Sequence, residues 1–164
     1  MPIVAHMKQT SLLVVFILLL HVGLAADSAL DAGQMADEAH FLGLGVYFLR
    51  TGDFDVTTAH PPLSSYWGAL SILWMDFDDD LFSTKDVPRK YDHVYYQVIG
   101  KRLIYESAYQ PRTVLFVARL PFILLSGILG WFVFSWSREL HGPAGGLVSV
   151  VAYAFSPTLL AHAG

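Results

Sequence analysis

Apolar positions in this chain gather in three long blocks without charge, separated by one extended region of mixed character. The first block runs from Thr10 to Ala26 as TSLLVVFILLLHVGLAA. Its 17 residues sit at the short limit for crossing about 30 Å of hydrocarbon. The second, Leu120 to Trp136, reads LPFILLSGILGWFVFSW and extends back through TVLFVAR to Thr113. The third, GPAGGLVSVVAYAFSPTLLA from Gly142 to Ala161, is uncharged, and its Gly and Ala suit close helix packing in lipid. The pattern predicts an all-α integral membrane architecture, with about three transmembrane helices over residues 10–26, 113–136 and 142–162.

The first block has a rival reading. Lys8 could begin a secretory signal, with Ser11 to Leu20 as its apolar part and GLAA as a small-residue cleavage site. We take it as an uncleaved span, because the two later blocks already require insertion. Either way, the chain from Asp27 onward is expected outside the cytoplasm, as a loop over residues 27–112.

Helical periods recur within that loop. ADEAHFLGLGVYFLR reads as a helix closed by RTGD at Gly52. PPLSSYWGALSILWM reads as a second, opening on proline. It is too short to span, which leaves the membrane interface or the protein core as its place. HVYYQVIGKRLIYESA, His93 to Ala108, reads as a third. No internal repeat or low-complexity tract interrupts them.

Composition agrees with the pattern. Hydrophobic residues make up 54% of 164 residues, and the mean hydropathy is +0.48, high for a water-soluble domain. A net charge of -4 with no basic stripe argues against nucleic acid as a partner. The absence of Cys rules out disulfides and thiolate metal sites, and the absence of Asn rules out N-glycosylation.

Charge also bears on sidedness. The 27–112 loop carries seven Lys/Arg, against the positive-inside bias for an outer loop. Its 86 residues exceed the length of roughly 60 over which that bias operates, and it carries thirteen Asp/Glu. The expected arrangement therefore has the N-terminus and SRELH (137–141) in the cytoplasm, and the loop on the extracytoplasmic side.

Four features could carry chemistry. Asp37-Glu38 follows the first span by eleven residues, which holds it near headgroup level. Acids there could simply favour a helix start. They could also take the proton of an attacking hydroxyl beside a lipid-borne phosphate. In His60-Pro61-Pro62-Leu63, two prolines fix the backbone and push His60 into an extended conformation. That is either a helix-opening turn or a rigid presentation of His60 to a site.

Arg119, between LFVA and LPFILL, must snorkel or find a partner, and a lipid phosphate would suit its guanidinium. DFDDD, Asp76 to Asp80, begins like an EF-hand loop but has Leu81 where Gly is needed and Val87 where the bidentate Glu belongs. It reads as a solvated charge run. No metal site and no cofactor is expected, and a divalent ion has no support in the spacing. His21 and His162 read as interface or packed histidines.

Order and spacing carry more than any single motif. A short N-terminal span, then DEAHF, then HPPL with Tyr66-Trp67 soon after, resembles the first outer loop of GT-C membrane glycosyltransferases. It is most similar to the protein O-mannosyltransferase and lipid A aminoarabinose transferase group, family 39-like. The segment from GKRLIYESAYQPR through ARLP to SPTLLAHAG resembles the following part of bacterial members. This resemblance implies the N-terminal part of a GT-C fold in a bacterial cytoplasmic membrane. It implies a polyprenyl-phosphate-linked sugar donor, inverting transfer to a hydroxyl of a protein or glycolipid acceptor, and Asp37 as the acid–base residue. Glu38 would support the site, and His60, Pro61 and Arg119 would border the substrates.

Members of the group have more spans and a further acidic motif beyond the point matched by Gly164. The chain is thus expected to be an N-terminal fragment, inactive by itself. The alternative is a non-catalytic multi-pass membrane scaffold or binding protein.

Overall fold

The computed structural model describes residues 2–54, 61–83 and 92–163. The described residues form helices and turns, with no strand. In chain order these are α1 (Pro2–Asp31), α2 (Glu38–Thr51), α3 (Pro62–Ile72), a 3-10 turn (Asp79–Phe82), α4 (Asp92–Tyr105), α5 (Pro111–Ala154) and α6 (Pro157–Ala161). The chain divides into two compact units, Met1–Leu30 with Phe122–Gly164, and Asp31–Pro121. Each is described by itself.

Among the described residues, two helices are long and apolar enough to cross a membrane, Thr10–Asp31 and Pro111–Ala154. The 44 residues of α5 would extend about 66 Å if straight. They are not straight. Gly142 takes φ 75, ψ -179, a conformation open essentially to glycine alone. Pro143 follows, preset for a first helical turn. Beyond this point the chain runs back along itself. Ser149 Oγ donates to Ser137 Oγ at 2.8 Å, and Tyr153 OH donates to the Ser126 carbonyl at 2.8 Å. In a straight helix, residues 137 and 149 would lie about 18 Å apart.

The second and third apolar blocks are therefore two arms of one broken element, meeting antiparallel. The expectation of one helix over 142–162 is corrected at its far end. Helix α5 stops at Ala154, Ser156 is extended (φ -69, ψ 118), and α6 begins at Pro157. The physical reason is Pro157, which disfavours helix at the residue before it.

In this unit α1 buries Val14, Ile17, Leu18, His21, Ala25 and Ala29, spaced by three and four residues along one face. Val14, Ile17 and Leu18 pack with Phe134 of the first arm and Val150 and Ala154 of the second. His21 is the polar member. Its Nδ1 lies 3.0 Å from the Ala154 carbonyl and its Nε2 lies 3.2 Å from Ser126 Oγ. A carbonyl only accepts, so Nδ1 carries the proton. Ala154 ends α5, so its carbonyl is one of the four left without an intrahelical donor.

The 31–121 unit is built on α2. Gly52, at φ 67, ends α2 with its N–H on the Phe48 carbonyl. Helices α3 and α4 both pack on α2. Ala39, Leu42 and Val46 of α2 share one core with Ala69 and Ile72 of α3, Ile99, Leu103 and Ile104 of α4, and Val114 and Val117 of α5. Helices α2 and α4 cross at glycines. A Cβ on Gly43 would collide with the Tyr96 carbonyl, and one on Gly100 with the Ala39 carbonyl. The three predicted loop helices are all present, each shorter at one or both ends than the pattern indicated.

The crossing gives a stability test. Gly43→Ala or Gly100→Ala must separate two backbones, a distortion of about 1–3 kcal/mol or more. Gly23→Ala, with open space around it, is expected to be neutral or slightly stabilising. Thermal unfolding in detergent should show a lower midpoint for the first two only.

Candidate functional site

The site begins where α1 ends. Between Asp31 and the start of α2 the chain turns through residues 32–37. The Glu38 N–H donates to the Met35 carbonyl at 3.2 Å. The Met35 N–H donates to Glu38 Oε2 at 2.7 Å. Glu38 thus reaches back over the turn that precedes its own helix, as a first-turn acid does in a capping box.

Its other partner comes from 81 residues further along. Arg119 Nε donates to Glu38 Oε1 at 2.7 Å, and Arg119 Nη2 donates to Glu38 Oε2 at 2.8 Å. The pairing is two-pronged, the stronger form of a guanidinium–carboxylate contact. The same guanidinium donates to the Ala32 carbonyl at 3.0 Å and to the Gly33 carbonyl at 2.8 Å. Side-chain exposure is 4% for Arg119 and 25% for Glu38. Arg119 therefore closes the 32–38 turn from inside, through one carboxylate and two backbone oxygens.

Asp37 is placed differently. It is exposed, and it precedes the first residue of α2 with φ -98, ψ -8. An aspartate here ordinarily caps the helix with its side chain. This one makes no side-chain cap bond. The adjacent acids are thus distinguished by geometry: Glu38 is engaged by Arg119, and Asp37 presents its carboxylate outward from a turn that Glu38 and Arg119 hold.

The remaining predicted site residues are scattered in their description. Pro61 is exposed and extended (φ -59, ψ 136), and Pro62 is the first residue of α3. His60 lies outside the described residues. The acidic run is tied down by Arg50, which contacts Asp79 at 3.0 Å and stacks 3.4 Å from the centre of the Phe82 ring. Among the described residues no group of three or more His, Asp or Glu is placed to hold a metal ion.

Sequence reasoning placed Arg119 and Glu38 at the site without joining them. The available signal was the charge balance around ARLP, where an arginine inside apolar sequence needs an acid partner. Nothing in local spacing identifies which of thirteen loop acids that partner is.

The pair has a measurable signature. Glu38→Leu leaves the Arg119 guanidinium buried without its carboxylate, a loss of about 3–5 kcal/mol. Glu38→Leu combined with Arg119→Met removes both charges and should recover much of that loss. Unfolding midpoints in detergent check this. A double variant no more stable than Glu38→Leu alone would show that the pairing is not what holds the turn.

Compared with known proteins, the chain matches no family model, no curated protein and no solved structure.

Proposed function

We propose that this chain is part of a membrane glycosyltransferase that moves a sugar from a polyprenyl-phosphate-linked donor to an acceptor hydroxyl. One observation carries the reading: Asp37 offers an exposed, non-capping carboxylate on a pinned turn, six residues after the end of an apolar helix long enough to span. Chain length alone keeps that carboxylate within reach of a lipid headgroup. The resemblance of DEAHF and HPPL to the GT-C group supplies the reaction class.

In this reading Asp37 accepts the proton of the acceptor hydroxyl. The hydroxyl oxygen bonds to the anomeric carbon from the face opposite the phosphate. The bond from that carbon to the phosphate oxygen breaks, its electron pair leaves with the lipid phosphate, and the configuration inverts. Glu38 and Arg119 are positioning residues. Arg119 acts through Glu38 and the 32–33 carbonyls, because its guanidinium is turned onto them. The three apolar arms span the membrane, with 27–112 on the extracytoplasmic side.

A positioned base contributes about 10²–10⁴-fold, or roughly 3–5 kcal/mol of barrier. Asp37→Asn keeps the shape of the side chain but cannot take the proton. In a membrane protein carrying this region, assayed with a polyprenyl-phosphate sugar, turnover should fall at least about 10²-fold, with donor binding and expression near normal. Near-wild-type turnover would remove Asp37 from the acid–base role.

Topology is tested independently. The chain is free of Cys, so single cysteines report cleanly. Glu106→Cys and Leu140→Cys, both at exposed positions, should react with an impermeant thiol reagent from opposite faces of sealed vesicles. Labelling of both from one face would remove the three-span arrangement.

A further inference from the structure

Helix α3 inverts the usual order of side-chain size. The face packed on the protein carries Ser65, Gly68, Ala69 and Ile72. The face turned away carries Leu63, Trp67 and Leu70, and the turn after the helix adds Leu73 and Trp74. Positions 63, 67, 70 and 74 are spaced by four, three and four, so they form one stripe. Leu63 is 64% exposed and Trp74 is 73% exposed. From Pro61 to Met75 there is no charged residue at all. Water-facing helices put charge on the outer face and large apolar side chains inside. A contiguous outward stripe of this kind marks an interaction surface.

The occupant follows from what adjoins the unit. Asp31–Pro121 is entered from α1 and left along α5, the two helices long and apolar enough to cross a membrane. A unit tethered at both ends in this way stays beside the bilayer. Tryptophan is the side chain favoured at the boundary between headgroups and acyl chains. The stripe carries two, and an acidic run begins directly after it at Asp76, where chain returns to water. The helix has 11 residues, too few to span and enough to lie flat.

We propose that the outward face of α3 docks on the lipid bilayer, with Leu63, Trp67, Leu70, Leu73 and Trp74 seated at the headgroup–acyl boundary. The proposal rests on the membrane part of the function proposed above and on none of its chemistry. Seated about 5–10 Å into that boundary, α3 fixes the height of the α2 helix on which it packs. Asp37, at the start of α2, is held at headgroup level by the same contact.

Residues 1–164 reconstituted in phosphatidylcholine vesicles provide the test. One variant, Trp131→Phe with Trp136→Phe, keeps only Trp67 and Trp74 as emitters. The companion, Trp67→Phe with Trp74→Phe, keeps Trp131 and Trp136, which are exposed on the apolar α5. Lipids brominated near the headgroup end of the acyl chain should quench the α3 pair strongly. Lipids brominated near the bilayer midplane should quench it less, and aqueous acrylamide should barely reach it.

Quenching of the α3 pair by acrylamide but not by bromolipid would place the face in water and overturn the proposal. Protection from both quenchers would mean that protein, such as a second copy, covers the face, and would overturn it equally. The companion separates the two levels of the argument. Quenching of Trp131 and Trp136 by bromolipid with no quenching at α3 sinks this docking alone. No quenching of either pair by bromolipid sinks the membrane reading beneath it.

Discussion

A buried guanidinium organises the turn that leads into α2 and carries Asp37. Arg119 lies within an apolar stretch, at the level where α5 leaves the 31–121 unit. Removing such a charge from water is costly unless a carboxylate and further acceptors meet it. Glu38 supplies the carboxylate, and the backbone of Ala32 and Gly33 supplies two more oxygens. The turn leading into α2 is therefore shaped by the need to satisfy Arg119. The outward position of Asp37 follows from that turn, since Glu38 cannot face Arg119 without its neighbour pointing elsewhere.

Local rules made most of the helices legible. Gly52 as a stop, Pro62 as a start and the apolar periods before the one and after the other are short-range signals, and α2 and α3 appear where these signals stand. Pro157 is equally local, yet the uncharged run around it hid the break, because hydropathy alone does not register a missing N–H. The close approach of α2 to α4 was not legible. Gly43 and Gly100 look like weak points in a helix until the facing backbone is known. The pairing of Glu38 with Arg119 failed to appear for the same reason. It spans 81 residues and depends on packing that no sequence window contains.

The apolar unit sorts its side chains by polarity. Outward it presents Leu12, Phe16, Leu19, Leu124, Ile128 and Phe132. Inward, Ser126, Ser137, Ser149 and Tyr153 bond to one another or to backbone. Among lipid tails no water is present to complete a hydrogen bond, so each polar group must be answered by another part of the protein. Small residues and short hydroxyl side chains at helix contacts serve that requirement.

His21 joins these constraints into one chain of cause. Pro157 forces α5 to end at Ala154, and ending a helix leaves carbonyls without donors. In water this would cost little. In an apolar surround each such carbonyl needs a donor brought from elsewhere. His21 is buried on α1 at the position that delivers Nδ1–H to Ala154, while its other nitrogen meets Ser126 on the opposite arm of α5. One imidazole therefore joins α1 to both arms of α5. A histidine that reads within LLLHVG as an interface or packed residue is the polar counterpart of a proline 136 residues away. The break made by that proline is what gives the imidazole a carbonyl to bind.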